Sequence, residues 1–461
     1  MSLGEDAAAM ADAAPRGSGV SRLGRDTLPH GRGRASDTLG WTPLPSDVAL
    51  RQVIFVLRHG ERAPVRTRMQ TATPPIPLRW NFCHTSHEFD KAVLRLAEGE
   101  KDGVPSRAMI QRRIEVACPG TEPAPGAPGD CLLGELTDLG RMSMLQLGRA
   151  MRRLYVDKLH FLPERLAASD EAMVYFRSTD MRRTAQSLDQ VITGLMDPFL
   201  GQPGTLVPHV FIRNITEENM LPNPRTCGRL AQLMRSFAKE AAVVYNPKLA
   251  QLDESIAPHN NGKGPRVDGQ PRLSGLVDTA RAAAAHGIDA PAPFLDEKAM
   301  GLMEEAVVHE WFAGFANQNE QEALQYRRLA TGDFFASLYG SFAHRIRLGE
   351  RDPSRLRVYL GHDATLVGIL HTLECFNGKW PSFGSALSME LLEKESGDGA
   401  YVRCRYGDEP LVVPGCSAPG KHYPGRPEIC TLAAFREVVV DRLRHPDNVS
   451  VQEECNLLAE H

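Results

Sequence analysis

The sequence predicts an α/β fold: a three-layer core with a mostly parallel central sheet and helices on both faces, plus a smaller, mainly helical cap. Three segments support this prediction, because each runs from an apolar strand through polar residues into a helix. Their strands lie at residues 52–57, 173–176 and 357–360. Such units are typical of parallel sheets, whose strands are joined by helical crossovers. A long region with helical patterns and no convincing strand separates the second unit from the third and predicts the cap.

The N-terminal residues 1–50 are rich in Ala, Gly, Arg, Ser and Asp and have no periodic apolar face. This composition predicts a disordered tail. Its arginines suit a mitochondrial presequence, whereas Glu5, Asp6 and Asp12 argue against one because such peptides are poor in acids. An uncleaved tail is therefore favoured slightly.

The first strand runs directly into the segment 58–64, Arg-His-Gly-Glu-Arg-Ala-Pro. Gly60 permits a sharp exit from the strand, and Pro64 suits the first turn of a following helix. The guanidiniums on either side of His59 lower the pKa of its imidazole and offer N–H donors to an anion. This setting favours a nucleophile that attacks phosphate over a structural histidine.

The chain divides into a core, an insertion and a cap. Residues 51–70, 134–215 and 346–461 are expected to form the α/β core. Residues 71–133 are rich in Pro and Gly at their ends and are too long for a plain connection, which predicts a functional insertion or a partly mobile lid. Residues 216–345 are expected to form the cap.

Within the core, the apolar spacing predicts a helix over 135–158 with Thr137 as its N-cap. A helix at 182–196 and a short strand at 207–213 follow the second unit, and a helix from 364 to about 374 follows the third. The last predicted elements are strands at 386–391 and 401–406, a turn at 395–399 that joins them as a hairpin, and a final helix at 428–443. The cap has helical patterns at 229–242, 275–286, 300–315 and 320–347.

Composition excludes several classes of protein. The hydrophobic content of 42% and charged content of 24% are ordinary for a soluble globular protein, and the net charge of −4 gives no reason to expect a nucleic-acid partner. No apolar run is long enough for a transmembrane helix. The nine cysteines are an odd number, so a monomer keeps at least one free thiol. Cys416 and Cys430 are close enough to close a small loop, and free buried cysteines are an equal alternative. The compartment stays open; a mitochondrial or cytoplasmic location is favoured over secretion because no signal peptide is visible.

Polar residues at the three strand ends are expected to form one site. In open α/β sheets, ligands bind outside the carboxyl ends of the strands, where helix N-termini also point. The residues expected to converge are Arg58, His59 and Arg62, then Arg177, then His362 and Asp363. Three arginines that face one point predict a phosphate site. His59 is the expected nucleophile and Asp363 the expected general acid. No metal and no cofactor are expected, since the guanidiniums supply positive charge.

With these residues, the chain resembles the histidine acid phosphatases, branch 2 of the histidine phosphatase superfamily. The resemblance spans about residues 50–440 and rests on four motifs: 58–64, 136–140, 176–184 (Phe-Arg-Ser-Thr-Asp-x-x-Arg-Thr) and 361–363 (Gly-His-Asp). It implies a large α/β domain with a mostly helical cap and a phosphohistidine on His59. It also implies that the phosphate is held by Arg58, Arg62, Arg177 and His362, with Asp363 as proton donor. The cofactor-dependent mutase branch usually lacks the Arg-x-Pro extension and is a weaker match.

Two stretches outside the chemistry resemble one group of the family, the lysophosphatidic acid phosphatases (acid phosphatase type 6). These are 379–391, with Lys-Trp-Pro-x-Phe followed by Met-Glu-Leu, and 413–416 together with Cys430. The resemblance implies hydrolysis of lysophosphatidic acid and a mitochondrial location.

The leading hypothesis is therefore a metal-independent acid phosphatase acting on lysophosphatidic acid or a similar lipid monophosphate. A phytase or sugar-phosphate phosphatase is an alternative within the family, although a phytase needs a strongly basic cap and 216–345 also carries many acids. A non-catalytic phosphate-binding module is the alternative from another class. The oligomeric state is left open.

Overall fold

The computed structural model describes residues 39–85, 92–95, 106–109, 114–116, 124–316 and 319–456. Thirteen β-strands lie within these residues: β1 Val48–Arg58, β2 Ala92–Arg95, β3 Ser106–Met109, β4 Glu115–Val116, β5 Ala124–Pro125, β6 Val174–Ser178, β7 Val210–Ile212, β8 Leu356–Gly361, β9 Ala386–Lys394, β10 Ala400–Tyr406, β11 Glu409–Leu411, β12 His422–Tyr423 and β13 Arg426–Thr431.

The same residues contain eleven α-helices: α1 Asp138–Arg152, α2 Arg182–Met196, α3 Gly228–Leu249, α4 Asp253–Ile256, α5 Leu273–Ala285, α6 Glu297–Phe312, α7 Glu320–Arg327, α8 Asp333–Leu348, α9 Asp363–Thr372, α10 Leu432–Val439 and α11 Val451–Asn456. No helix of the described chain is both long enough and apolar enough to cross a membrane.

Nine strands form one mixed sheet in the order β12-β13-β10-β9-β1-β8-β6-β7, with β11 paired to β10. The neighbours β1, β8, β6 and β7 run parallel, whereas β9, β10 and β13 extend the sheet in antiparallel fashion. The parallel strands include all three that precede the predicted site motifs. The fold class is thus confirmed, with the parallel character confined to one half of the sheet.

Helices pack on both faces of the sheet. Alternate side chains of each strand point to opposite faces, so one strand supplies apolar side chains to both layers of helices. On β1, Ile54 and Val56 pack with residues of α8, α9 and α10. Val53, Phe55 and Leu57 pack on the other face with residues of α1 and α2. Burial of both sets explains why the first strand reads as a continuous apolar run.

Most of the predicted cap region is helical, and the described residues between 216 and 345 contain no strand. Side chains of α3, α5 and α6 form a separate apolar cluster together with residues of the segment 63–80. Helix α8 lies partly in the predicted cap range but packs on the sheet, since Phe334, Phe335 and Phe342 bury against β1 and β8 side chains. The described parts of the insertion include two small two-stranded sheets, β2-β3 and β4-β5.

Several local predictions are confirmed. Thr137 caps α1, its Oγ accepting a hydrogen bond of 3.2 Å from the Gly140 N–H. The predicted helix at 182–196 coincides with α2, and β9 and β10 form the predicted hairpin.

Three local predictions are wrong. The predicted tail of 50 residues lies mostly outside the described chain, but strand β1 already begins at Val48 and Leu39 is buried. No helix begins at Pro64, because this segment pairs its backbone with residues 134–136 instead; the Ala63 N–H donates to the Glu135 carbonyl at 2.9 Å.

The third error concerns the predicted helix at 428–443. Residues up to Thr431 belong to β13, which pairs with β10, and α10 begins only after the Thr431 side chain caps it.

Three disulfides lie within the described residues, and they join Cys83 to Cys131, Cys227 to Cys455 and Cys416 to Cys430. The open question at Cys416 and Cys430 is thereby resolved in favour of the small loop. In the described chain Cys375 and Cys404 are unpaired, and Cys118 lies outside the described residues.

Candidate active site

The sheet brings the first and third motifs together by register. Arg58, the last residue of β1, lies opposite Gly361, the last residue of β8. His59 and His362 therefore leave neighbouring parallel strands at the same edge, and their ring centroids lie 5.6 Å apart. Helix α9 begins at Asp363, so its N-terminal backbone also faces this edge.

His59 is buried, with 2% of its surface exposed, and one of its ring nitrogens is already committed. Its Nδ1 lies 2.9 Å from the Gly60 carbonyl oxygen, which can only accept a hydrogen bond. In the neutral ring the proton is therefore on Nδ1, and the lone pair is on Nε2. Nε2 is the atom available to attack.

The imidazole of His59 is held neutral by its surroundings. Burial lowers its pKa well below the ordinary value, and the positive charges of Arg58, Arg62 and Arg183 lower it further. A neutral ring is the nucleophilic form.

Gly60 serves a close contact rather than a turn. A Cβ at this position would lie 2.6 Å from the Gly140 carbonyl oxygen, and a Cβ on Gly140 would lie 2.1 Å from the carbonyl oxygen of Glu61. The loop after β1 thus crosses the first turn of α1 at backbone distance, which fixes the position of His59.

Asp363 carries a carboxylate whose two oxygens are both bound. Its Oδ1 accepts from the backbone N–H of Ala364 at 2.8 Å, while Oδ2 lies 3.0 Å from Arg58 Nη2 and accepts from Trp380 Nε1 at 3.1 Å. Burial raises the pKa of Asp363, but the positive charges of Arg58 and Arg62 and the backbone N–H of Ala364 outweigh it, and the net pKa lies below the usual value. The carboxyl is therefore ionised in the unliganded protein.

Arg62 reaches the site from the loop and is held by the cap. Its two terminal nitrogens lie 2.8 Å and 3.3 Å from the two carboxylate oxygens of Asp278, on α5. The guanidiniums of Arg58 and Arg62 also lie over the ring of Phe383, at 4.4 Å and 5.5 Å from its centroid. Phe383 therefore supports both cations from one side.

His362 is buried and contacts the second motif. Its Nε2 lies 3.0 Å from the hydroxyl of Thr179, which follows β6. Burial and the charge of Arg183 lower the pKa of His362 to about 3, so it is neutral in the unliganded protein.

Arg177 is the one predicted site residue that the structure does not bring to the others. In the sheet, Arg177 lies opposite Tyr359 of β8, and Tyr359 in turn lies opposite Val56 of β1. Arg177 is therefore level with a position two residues before Arg58. Its guanidinium binds the buried carboxylate of Glu218 at 2.7 Å and the side-chain oxygen of Asn219 at 3.0 Å. Arg177 is therefore a buried ion-pair residue behind the strand end.

Arg183 takes the place expected for Arg177. It lies in the first turn of α2, beyond the end of β6, where a long side chain reaches the carboxyl edge of the sheet. Burial lowers the pKa of Arg183 to about 10, and the charged groups that act on it include Arg62, Asp363 and Arg58. The arginine of the motif 176–184 that faces the site is thus Arg183, the last of its three arginines.

The position of Arg183 in the sequence could have identified it as a site residue, whereas no pattern identifies the cap residues Asp278 and Arg281. Arg183 stands in the first turn of a predicted helix, where the general rule places ligand contacts. Asp278 and Arg281 lie inside a cap helix of ordinary composition, and nothing in the spacing of that helix identifies them. Arg281 nevertheless affects the site, because its positive charge lowers the pKa of Arg58.

The assembled site is a cluster of cations around a neutral nucleophile and an ionised carboxyl. The cationic side chains are Arg58, Arg62, Arg183 and Arg281. Such a cluster can bind the oxygens of a phosphate group and stabilise charge on them. Across the described residues, no three His, Cys, Asp or Glu side chains are grouped so that they could hold a metal ion.

Comparisons with known proteins agree on the kind of protein. The family model described as "Histidine phosphatase superfamily (branch 2)" matches residues 49–407. A probable acid phosphatase of Schizosaccharomyces pombe is 33% identical over 455 residues, covering 87% of this chain and 94% of that protein. The lysophosphatidic acid phosphatase type 6 of Mus musculus is 27% identical over 378 residues, covering 80% of this chain and 81% of that protein.

Solved structures share the fold. The phytase of Hafnia alvei in complex with tartrate superposes with a TM-score of 0.53 at 14% identity, covering 90% of this chain and all of that one. At this identity the likeness shows the fold alone.

Proposed function

The chain belongs to the histidine phosphatase superfamily, branch 2, and is an acid phosphatase; on that premise we propose that it hydrolyses phosphomonoesters through a phosphohistidine on His59, with lysophosphatidic acid or a similar lipid monophosphate as substrate. The observation that carries the reaction is the buried, neutral His59 ring, whose Nδ1 is bound to Gly60 and whose Nε2 is free to attack among the guanidiniums of Arg58, Arg62 and Arg183.

In the first step, His59 Nε2 attacks phosphorus and the bond from phosphorus to the ester oxygen breaks. Arg58, Arg62 and Arg183 hold the equatorial oxygens of the phosphoryl group and stabilise their charge in the transition state. His362 is the further phosphate contact. The leaving alkoxide takes a proton from Asp363.

In the second step, water attacks the phosphohistidine. The Asp363 carboxylate accepts the proton of the water, the bond between Nε2 and phosphorus breaks, and inorganic phosphate leaves. The proton that Asp363 takes from the water leaves with inorganic phosphate, so His59 and Asp363 return to their unliganded states.

The proton on Asp363 arrives with the substrate. The bound phosphate compensates the charge of Arg58, which otherwise keeps the Asp363 pKa low. Burial then favours the protonated carboxyl.

The lipid substrate is supported by the surface beside the site. Val65, Leu78 and Leu133 are exposed to 41%, 62% and 57%. Leu78 and Leu133 line one shallow pocket with Pro64, two residues from Arg62. An acyl chain gains free energy by leaving water for such a surface. The similarity to the mouse lysophosphatidic acid phosphatase type 6 points the same way.

A substrate panel tests the substrate class. Lysophosphatidic acids of increasing chain length, glycerol 3-phosphate and phytate are compared by kcat/KM. We expect kcat/KM to rise with chain length and expect the double variant Leu78→Ser, Leu133→Ser to reduce that rise without changing the rate on glycerol 3-phosphate. A preference for phytate, or equal values for glycerol 3-phosphate and the lipids, would overturn the lipid assignment.

The reaction is tested separately with a small aryl phosphate. The His59→Ala variant is expected to lose activity on it. Equal turnover by this variant and the wild type would overturn the role of His59 as nucleophile. No turnover by either protein would leave only a phosphate-binding module.

A further inference from the structure

Trp380 joins the proposed proton donor to the cap. It lies in the connection between α9 and β9, and its indole N–H donates to Asp363 Oδ2 at 3.1 Å. The next residue, Pro381, accepts a hydrogen bond from Arg58 through its carbonyl oxygen. One short segment thus binds both members of the Arg58–Asp363 pair.

The cap helices fix the indole of Trp380 in place. Its backbone N–H donates to Glu304 Oε1 of α6 at 2.9 Å, and that carboxylate lies 2.8 Å from Arg281 Nη2 of α5. The Arg281 guanidinium also lies over the indole, 5.6 Å from its centroid. Phe312 packs on the ring at 4.8 Å. The indole therefore cannot follow a substrate into the site without breaking these contacts.

Arg58 and Trp380, the two donors to Asp363 Oδ2, differ in whether a bound phosphate competes for them. Arg58 is a phosphate contact in the proposed reaction, so a bound phosphate draws its guanidinium away from the carboxyl. Trp380 has no second acceptor among the contacts described and stays where it is. Oδ2 then has one lone pair free for a proton while the other remains bound to the indole N–H.

We propose that Trp380 is a positioning residue for Asp363: its N–H holds Oδ2 toward the leaving oxygen while the proton moves. The proposal rests on the proposed role of Asp363 as proton donor. The proton passes from Oδ2 to the ester oxygen as the bond to phosphorus breaks, and Asp363 becomes a carboxylate that is again bound by Trp380.

Several charged groups face Asp363 and set the background for any pH profile. The charged groups come from the strand end, the loop, α2 and α5: Arg58, Arg62, Arg183 and Arg281. The titratable but neutral His362 adjoins Asp363 at the start of α9. A profile alone therefore does not isolate Trp380, and the leaving group is the better probe.

The test compares two substrates that differ in their need for a proton. An alkyl phosphate such as glycerol 3-phosphate needs a protonated leaving oxygen, whereas 4-nitrophenyl phosphate leaves readily as an anion. Trp380→Phe removes the N–H and keeps an aromatic ring. The quantity compared is kcat/KM, because it reports the first phosphoryl transfer and not the water attack on the phosphohistidine, in which Asp363 serves both substrates alike. We expect kcat/KM on the alkyl phosphate to fall about tenfold, because a hydrogen bond to a charged group is lost, and kcat/KM on the aryl phosphate to change less than about twofold.

Trp311→Phe is the matched control. Trp311 contacts the Trp380 ring at 6.1 Å, is 46% exposed and does not contact Asp363. It should leave both rates unchanged.

Asp363→Asn separates the two proposals. If it slows the alkyl phosphate selectively and Trp380→Phe does not, the Trp380 proposal alone fails. An equal fall of both rates in Trp380→Phe would show a merely structural role and would also overturn it. If Asp363→Asn spares the alkyl phosphate, the assignment of the proton donor fails and the Trp380 proposal fails with it.

Discussion

At the scale of single residues, the hydrogen bond between His59 Nδ1 and the Gly60 carbonyl decides which nitrogen can attack. Arg58 flanks this histidine and also binds Asp363, so one guanidinium contacts the two residues that carry the proposed chemistry. The protonation states of nucleophile and acid are therefore coupled through Arg58.

The first residue-scale prediction concerns pH. The pKa of His59 is lowered well below its ordinary value, so mildly acidic solution does not protonate the nucleophile. The pKa of Asp363 is lowered too, so its proton must arrive with the substrate monoanion, which is lost above about pH 6. We expect kcat/KM on an alkyl phosphate to fall about tenfold per pH unit above that value. A profile that stays flat from about pH 5 to about pH 9 contradicts this.

The second residue-scale prediction separates Arg183 from Arg177. Arg183→Ala should lower kcat/KM about 100-fold and weaken inhibition by inorganic phosphate, since it removes a charge-assisted phosphate contact. Arg177→Met should instead destabilise the fold by about 3 kcal/mol, because it leaves the Glu218 carboxylate buried without its cation.

The measurements are steady-state kinetics and urea unfolding. If the folded Arg177→Met protein lost phosphate inhibition while Arg183→Ala kept it, the original sequence-based assignment would be restored.

These two arginines also show how far sequence reasoning reached. The motif 176–184 was identified correctly, but it contains three arginines, and only the strand register shows that Arg177 stops two residues short of the edge. The contact of Asp278 with Arg62 could not be predicted from the sequence, because it depends on how α5 packs over the loop that carries Arg62. Five of the six predicted site residues lie together because they follow the ends of adjacent parallel strands.

At the scale of elements, a buried ion cluster joins β9 and β10 to the π-helical turn Arg153–Lys158 that follows α1. Glu390 binds Arg403 at 2.6 Å and Arg405 at 3.1 Å, and it accepts from the Tyr155 hydroxyl at 2.9 Å. All four side chains are buried. The same arginines hold the backbone of residues 39–42, which explains why the chain is ordered before β1.

This cluster gives an element-scale prediction. Glu390→Gln leaves two buried guanidiniums without a counter-charge and should lower the free energy of unfolding by about 3–5 kcal/mol in urea titrations. Glu393→Gln is the matched control: it lies on the same strand and pairs with Arg51 at 2.8 Å, but both side chains are partly exposed. It should cost less than about 1 kcal/mol. Similar losses for the two variants would contradict the prediction.

Elements with strong periodicity were predicted well, whereas the last helix was not. The sequence 428–431 is apolar enough to extend α10, but its pairing with β10 and the disulfide at Cys430 hold it as a strand. Tertiary contacts override local preference there.

At the scale of the whole molecule, the disulfides connect distant parts of the chain. One disulfide joins Cys227, just before α3, to Cys455 in α11, and these two cysteines are 228 residues apart. Another joins Cys416 to Cys430, which are 14 residues apart. Three disulfides, as in the described part of this chain, are typical of proteins that fold in an oxidising compartment.

Loop length gives the whole-molecule prediction. In the chain-entropy account, a disulfide stabilises the folded state by reducing the entropy of the unfolded chain, and a longer closed loop has a larger effect. For these two separations, the stabilisation is expected to differ by about 2.5 kcal/mol. Replacing Cys227 and Cys455 by Ser should therefore lower the free energy of unfolding more than replacing Cys416 and Cys430. The reverse order in urea titrations would show that local strain or denatured-state structure dominates.

The central claim is that three strand ends assemble one site in which His59 carries the phosphoryl group. Rapid quench in alkali during turnover of a ³²P-labelled substrate, followed by peptide mapping at alkaline pH, tests it most directly. We predict label on the peptide that contains His59, stable in base and labile in acid, and none in the His59→Ala variant. Turnover without a labelled enzyme, or label on another residue, would contradict the account.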